Sequence, residues 1–560
     1  MNKQWEIYDV DENVVEDIAE KFSISKLASR IIAHKGLKDE EIAVFLNPTR
    51  NDFHNPFLLP DMDKAVSRII EAMENKEKTI IYGDYDVDGI TSSTVLKRFF
   101  EERGFCVDIY IPNRLDEGYG LNENAVREIA SKDYTLIITV DCGITGDKEV
   151  EIAKKLGIDV IVTDHHEPSD VLPDAIAVVD AKRKDNQYPF RGLAGVGIAF
   201  KTIQAISQKL NLPEEAYLKY LDIVCIGTIS DIVPLEDENR VISKLGLMLV
   251  KQTRNVGLRA LLESVGYKYI DSNTVSFGLA PRINACGRLG HEKVAVDLFL
   301  TNNILEAKNI TKELNEYNQN RQEIERHIFE EAVELAKNSK DKCIVVGKEN
   351  WHHGVIGIVA SKITELYSKP SILLCYEDGV ARGSGRSIKG FDLHEALEKC
   401  NTYIQQFGGH SMAIGVTIKQ ENIEKFKQEL EEYAGKKKIE EIVPVIQIDK
   451  KIDLKEITVD DVKALKLLEP FGEANSVPLF QINNMKIDSI RAISEVKHIK
   501  MFLKDDSNKV LDVIGFNMGY LSEEYKIGTK VDVVGHLEIN SYREIENIQL
   551  NLKDIRHTIQ

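Results

Sequence analysis

With 560 residues, 43% of them hydrophobic and 29% charged, the chain is too long for one hydrophobic core and too apolar for disorder, which predicts three or four folded domains. A net charge of −19 speaks against broad nucleic-acid binding, although a whole-chain sum says nothing about a single groove. No apolar run reaches membrane-spanning length and no leader-like start is present, so a cytoplasmic protein is expected; seven cysteines, an odd count without a Cys-x-x-Cys pair, argue against a disulfide framework and a structural zinc. Cys106, Cys142, Cys225 and Cys375 lie in apolar runs and read as core residues.

Residues 1–64 read as an N-terminal helical segment, with Ile31, Ile32, Ile42, Val44, Phe45 and Leu46 at helical spacing before Pro48 and no chemistry to place. A domain over 65–300 opens with a helix from Ala65. Then Thr79-Ile80-Ile81-Tyr82-Gly83-Asp84-Tyr85-Asp86-Val87-Asp88-Gly89-Ile90-Thr91 reads as strand, tight turn and helix, with three carboxylates at alternate positions of the turn. Alternation follows: strand Cys106–Ile111, helix Glu123–Ser131, strand Tyr134–Val140, helix Lys148–Leu156, then strands Ile158–Thr163 and Ala175–Val179. That order predicts a parallel sheet covered by helices. A helix over Ala216–Ile229 comes next.

The strand ends carry the chemistry. Ile137-Ile138-Thr139-Val140 runs into Asp141, Val160-Ile161-Val162-Thr163 into Asp164-His165-His166, and Ala177-Val178-Val179 into Asp180. Parallel strands put their carboxyl ends on one edge, so Asp84, Asp86, Asp141, Asp164 and His165 are expected to converge there. A solvated acidic turn would account for residues 84–88 alone, but not for four strands of five that end in aspartate. Asp231 adds a further acid after the helix. Carboxylates with imidazole and no thiolate suit Mn2+ or Mg2+ better than zinc or copper. The ligands outnumber what one ion needs, which predicts a two-metal site for phosphoryl ester hydrolysis.

Asp84-Tyr85-Asp86-Val87-Asp88-Gly89, Asp141, Asp164-His165-His166 and Ser230-Asp231 follow the motif order of the DHH phosphoesterase superfamily, and Gly192-Leu193-Ala194-Gly195-Val196-Gly197 resembles a motif of its RecJ branch. As a dinucleotide fingerprint that glycine stretch is weak; it reads as a close-packed helix start. Ala280-Pro281-Arg282-Ile283-Asn284-Ala285-Cys286-Gly287-Arg288 is similar to another segment of that branch, and its arginines offer guanidinium forks for phosphate.

Residues 301–340 predict one long linking helix, apolar at helical spacing from Ile310 to Leu335. A second α/β lobe over 341–435 holds strands Cys343–Val346 and Ser371–Cys375. Its Gly408-Gly409-His410 and Ser384-Gly385-Arg386-Ser387 resemble the signature and the substrate loop of the DHHA1 domain. After a Lys436-Lys437-Lys438 linker, short alternating segments over 445–560 (Val477–Ile482, Met485–Ile490, His498–Leu503, Val510–Phe516, Lys530–Ile539, Glu546–Leu552) predict a small barrel of OB type, with Phe502, Phe516 and Tyr542 as stacking candidates.

The fold class is therefore α/β: two α/β lobes, a DHH parallel sheet and a DHHA1 domain, joined by a long helix, plus a C-terminal OB-fold-like β-barrel. The resemblance spans residues 20–560 and implies a 5′→3′ exonuclease for single-stranded DNA in repair and recombination. By resemblance, Asp84, Asp86, Asp141, His165 and Asp231 hold two Mn2+ or Mg2+ ions, with Asp141 as the bridge. His166 contacts the phosphate, Asp164 orients the cluster, Arg114, Arg282, Ser384, Arg386 and His410 hold the DNA phosphates and the 5′ end, and His410 is also expected as a catalytic residue in contact with the phosphate being cut. Whether Asp88 is a ligand stays open. Where many superfamily members have histidine four residues before the first aspartate, this chain has Ile80. A RecQ-type helicase and a single-strand-binding protein are the implied partners of a monomeric enzyme. The alternatives are a DHH phosphodiesterase for short oligonucleotides or cyclic dinucleotides, for which 445–560 has no use, and a catalytically dead scaffold, which has no need of five convergent ligands.

Overall fold

In the computed structural model, which describes residues 3–114, 117–337, 339–495, 497–542 and 545–558, strand β1 (Thr79–Gly83) is buried at every position and stands inside a five-stranded sheet. With β2 (Val107–Tyr110), β3 (Leu136–Val140), β4 (Asp159–Thr163) and β5 (Ala177–Val179) it forms the order β2-β1-β3-β4-β5, all pairs parallel. The chain leaves β1 toward one side and returns on the other, so the order reverses between β1 and β3, where open α/β sheets place their ligands. Gly83, Val140, Thr163 and Val179 share one row. The next residue of each strand is an aspartate: 84, 141, 164 and 180.

Helices cover this sheet. Among them, α1 (Val87–Glu101) buries Val87 to Leu96 almost without break, and α2 (Gly195–Lys209) packs beside it. The helix expected over Ala216–Ile229 is two, Glu215–Leu218 and α3 (Leu221–Ser230), because the chain turns at Lys219 and Tyr220. A stretch of π-helix, Thr274–Leu279, feeds α4 (Ala280–Arg288), and α5 (Ile304–Ala336) is one 33-residue helix. Cys106 is exposed, ahead of the edge strand β2, and the other six cysteines are buried and free.

The second lobe is a sheet of β6 (Ile344–Glu349), β7 (Ser371–Glu377), β8 (Val380–Arg386), β9 (Ile404–His410) and β10 (Ala413–Lys419) in the order β9-β10-β8-β7-β6. Only β6 and β7 are parallel. Helix α6 (His353–Tyr367) lies against β8 and β7. Both lobes and α5 belong to one compact unit, His54–Val233 with Leu245–Val443.

A second unit gathers Met1–Phe53, Pro234–Lys244 and Pro444–Gln560. Strands β11 (Phe480–Ile493), β12 (His498–Lys504), β13 (Val510–Gly515), β14 (Lys530–Tyr542) and β15 (Ile545–His557) pair as β11-β12-β13-β15-β14, and β14 closes back on β11. The two segments expected at Val477–Ile482 and Met485–Ile490 are one strand. A register shift between Ile482 and Met485, with Asn484 at φ 57°, bends it so that it serves two neighbours. Helices Glu12–Phe22, Lys26–His34 and Asp39–Leu46 share the barrel's core through Ile18, Leu27, Ile31, Ile42 and Phe45. Arg240, 2% exposed, donates to the carbonyls of Phe45, Leu468 and Glu469, and burial pushes it down to about 9. No helix of the described residues is long and apolar enough to cross a membrane.

Candidate metal centre and phosphate strip

Two glycines let the acidic turn close. A Cβ at Gly83 would lie 2.1 Å from Ser93 Oγ, and one at Gly89 2.4 Å from the carbonyl oxygen of Asp84, so the head of α1 sits directly on the strand end. Asp86 is the N-cap of α1 and accepts from the N–H groups of Asp88 (2.9 Å) and Gly89 (3.1 Å). Asp88, 1% exposed, accepts from the N–H groups of Gly195 and Val196, each at 2.7 Å, and thereby fastens α2 to α1. The Gly195 of the glycine-rich stretch is the first residue of that helix.

Asp141 leaves β3 at φ 59°, a left-handed conformation costly for aspartate. Its Oδ1 is 3.1 Å from His165 Nε2, which lies 3.6 Å from Asp231 Oδ2 and 3.8 Å from Asp88 Oδ2. Three groups of ligand atoms, each within 4.8 Å of one another, result: Asp84, Asp86 and Asp141; Asp141, His165 and His166; Asp88, His165 and Asp231. Asp141 and His165 each belong to two of them.

Burial, reinforced by neighbouring carboxylates, drives Asp84 and Asp141 well above the usual carboxylate range and Asp231 up to about 9. Burial and Asp86 push Asp88 up to about 7; burial, with His166 beside it, pushes His165 down to about 3. Asp84 Oδ1, Asp141 Oδ1 and His165 Nε2 are buried without a hydrogen bond. Crowded acids, a neutral imidazole and orphaned oxygens are what a divalent cation satisfies, so the donor set fits Mn2+ or Mg2+.

Asp164 belongs to none of these three groups. It accepts from the N–H groups of Ile144 (2.9 Å) and His165 (2.7 Å) and lies 2.8 Å from His166 Nδ1. Burial pulls its carboxyl up, but these bonds outweigh burial and hold it below its usual value, while the same contact raises His166. Tyr119 Oη stands 3.0 Å from His166 Nδ1. Sequence reasoning missed Tyr119; its signal was the flanking pair Gly118 and Gly120, both at positive φ. Asn284 was missed as well: its Oδ1 accepts from Val87 N and holds the head of α1. Ile80 packs in the core with Ile137 and Val160 and offers no ligand.

A cationic strip lies beside the acids. Arg114 stacks over Tyr85 at 4.8 Å, and a Cβ at Gly287 would meet Tyr85 O at 2.6 Å. Arg288 donates to Gly354 O (3.0 Å) at the head of α6, and Arg386 donates to Ser384 Oγ (3.1 Å). Gly357 of α6 leaves room for both: a Cβ there would lie 2.9 Å from Ser384 Oγ and 3.4 Å from Arg386 Nη2. Burial, then Arg114, Arg321 and Arg386, push Arg288 down to about 10; burial and Arg114 also lower Arg386. These are mutually repelling cations that an anion would relieve. Arg321, also missed, looks like a surface charge in sequence but is tied to Asn318 and Glu325.

His410 is exposed and makes no contact with the acids among the described residues. It pairs with Ala413, which pairs with Arg386, so it lies two strands, about 10 Å, from Arg386 in one row of the sheet. Arg282 is committed to Asn315 Oδ1 (2.7 Å) and Gly278 O (2.6 Å), away from the strip. In the barrel, Phe502 and Phe516 are 37% and 51% exposed; the Tyr542 side chain lies outside the described residues.

Family models match the chain in three places: the DHH family N-terminal domain over residues 78–228, the DHHA1 domain over 340–436 and the RecJ OB domain over 448–554. The single-stranded-DNA-specific exonuclease RecJ of Bacillus subtilis is 40% identical over 560 residues, covering 98% of this chain and 70% of that protein. The Escherichia coli protein of that name is 32% identical, with 89% and 90% covered. A crystal structure of RecJ from Thermus thermophilus with Mn2+ matches with a TM-score of 0.86 at 29% identity, over 100% of this chain and 80% of that one; its Mg2+ complex matches with 0.81 at 27%, over 100% and 79%. The chain belongs to the RecJ family of single-stranded-DNA-specific exonucleases.

Proposed function

We propose that the protein hydrolyses single-stranded DNA from its 5′ end with two divalent cations bound at the carboxyl edge of the parallel sheet. The observation that carries this reading is that Asp141 belongs to one donor group with Asp84 and Asp86 and to another with His165, whose Nε2 also lies 3.6 Å from Asp231 Oδ2. Asp84, Asp86 and Asp141 would hold one cation; Asp141, His165 and Asp231 would hold the other. Bound there, the ions supply positive charge to the phosphoryl oxygens and a readily ionised water.

The chain's own residues do the rest. Asp88 supports the site by clamping α2, since both of its oxygens already accept from that helix. Asp164 orients His166, whose raised affinity for a proton makes it a donor to the oxygens of the phosphate being cut. Arg114, Ser384 and Arg386 hold the terminal 5′-phosphate, and Arg288 stiffens the strip from behind. His410 and Arg282 hold the strand further out. The barrel binds single strands through Phe502 and Phe516. The enzyme acts as a cytoplasmic monomer in DNA repair and recombination, beside a RecQ-type helicase and a single-strand-binding protein.

The test is incubation with Mn2+ and three substrates: a 5′-labelled single strand, a blunt duplex and a cyclic dinucleotide. Loss of the 5′ label as mononucleotide from the single strand alone is the expected result. Consumption of the cyclic dinucleotide instead, or earlier loss of a 3′ label, would overturn the proposal.

A further inference from the structure

The arginine that the sequence marks for phosphate, Arg282, stands in a pocket of about 340 Å3 between the π-helical turn and α5. Its walls are unlike those of an apolar cavity. Tyr267 and Phe277 form one side and are 50% and 72% exposed; Asn315, Gln319 and Gln322 of α5 form the other. Gln319 and Gln322 are exposed and bonded to nothing among the described residues. Arg282 uses Nε and Nη1 and leaves Nη2 uncommitted among the described residues. A π-turn that inserts an extra residue beside a pocket is a recurrent mark of function.

Exposed rings, unpaired amides and a free guanidinium nitrogen together describe a site for a nucleotide. An aromatic face stacks on any base, an amide offers both a donor and an acceptor to a base edge, and the guanidinium answers a phosphate. The volume suits one small ligand. Position agrees: Arg282 and Arg288 share α4 and are separated along its axis by about 9 Å. Asn318, which also lines the pocket, is bonded to Arg321, whose charge reaches Arg288.

We infer that this pocket holds one nucleotide of the single strand, on the 3′ side of the bond being cut, with its base stacked against Phe277 and its edge met by Gln319 and Gln322. The inference rests on the function proposed above. It makes the pocket a base-sensing subsite, separate from the metal centre and from the strip that holds the 5′-phosphate.

A walk of a single abasic residue along a 5′-phosphorylated strand tests it, read as KM and kcat with Mn2+ for the wild type, Phe277→Ala and Gln322→Ala. In the wild type, one position near the 5′ end should raise KM about tenfold with kcat unchanged, as loss of one stacked base predicts. Phe277→Ala should raise KM for the intact strand by the same factor and lose the dependence on that position. Gln322→Ala should alter the ranking of the four bases at that position only. Both side chains are exposed, so neither change removes core. An abasic profile in Phe277→Ala identical to that of the wild type overturns the inference while leaving the proposed function intact. Failure of the wild type to cut any single strand overturns that function and the inference with it.

Discussion

A Cβ atom placed on Gly195 would lie 2.7 Å from the Cβ of Asp141. The head of α2 therefore rests directly on the aspartate shared by the two donor groups, and Asp88 fixes it there through the N–H of the same glycine. Gly195→Ala should push the Asp141 carboxylate out of place. A misplacement of this order costs about 100-fold in turnover, and the overpacking costs about 1–3 kcal/mol of stability. Steady-state rates and thermal unfolding check both, and a Gly195→Ala enzyme of wild-type activity would show that the position of Asp141 is not critical.

The metal-free protein should lose stability as pH rises. Folded Asp88 and Asp231 hold their protons up to about 7 and about 9, and Asp84 and Asp141 are raised as well, whereas unfolded aspartates release theirs near 3.8. Across that window these four folded aspartates bind more protons than unfolded ones, so their contribution to stability is full below pH 3.8 and falls up to about 9; His165 and Asp164, lowered in the fold, act in the opposite sense at acid pH, so the fall is read above pH 6.5. Mn2+ supplies the missing positive charge, so the rise in Tm on adding it should grow from pH 5 to pH 9. Melting curves in chelator and in Mn2+ measure this, and a metal effect independent of pH would contradict it. Asp141→Asn should flatten the slope in chelator and abolish turnover.

Arg386→Ala should weaken the hold on the strand by about 1–3 kcal/mol, the range for a charged hydrogen bond. The loss should fall on 5′-phosphorylated strands and spare those ending in a hydroxyl. Arg386→Lys should recover little, because Arg386 bonds Ser384 and Gly385 through Nη1 alone and keeps the rest of a planar fork for a phosphate, a geometry that a compact ammonium lacks. Equal losses on the two kinds of end would move Arg386 to another place along the strand.

Deleting residues 445–560 should unfold more than the barrel. Ile18, Leu27, Ile31, Ile32, Ile42, Phe45 and Leu46 share a core with Leu468, Phe480 and Ile482. Exposing that many side chains costs on the order of 10 kcal/mol, comparable to the whole stability of a domain. Limited proteolysis should then cleave rapidly within residues 3–53. Continued protection there would mean that the N-terminal helices fold without the barrel.

The convergence of the acids was legible because it is written in local pattern. Apolar strands that each end in aspartate need only parallel pairing to bring 84, 141 and 164 into one row, and the pairing follows from alternation with helices. What Asp88 does was not legible, since its partner amides lie 107 and 108 residues further along the chain. Nor was Arg321, whose buried bonds appear only once α5 is packed. Helical spacing over residues 31–46 announced a face to be covered but not by what, and the bend at Asn484 made one barrel strand read as two. Sequence pattern gives faces and ends of elements; it does not give the partners of a buried polar group.

The second unit has a consequence in time. Its N-terminal helices leave the ribosome roughly 400 residues before the strands that complete their core, a delay of roughly 20–80 s at ordinary rates of translation. For that interval Ile18, Ile31 and Phe45 lack the covering they have at the end, and Arg240 lacks the carbonyls of Leu468 and Glu469. The sheet that carries the aspartates is finished from residues 79–179, long before. A nascent chain thus gains its acids first and its barrel last, and a ribosome that stalls late releases a protein with the catalytic sheet in place and a sticky N-terminus, a species that chaperones or proteases must clear.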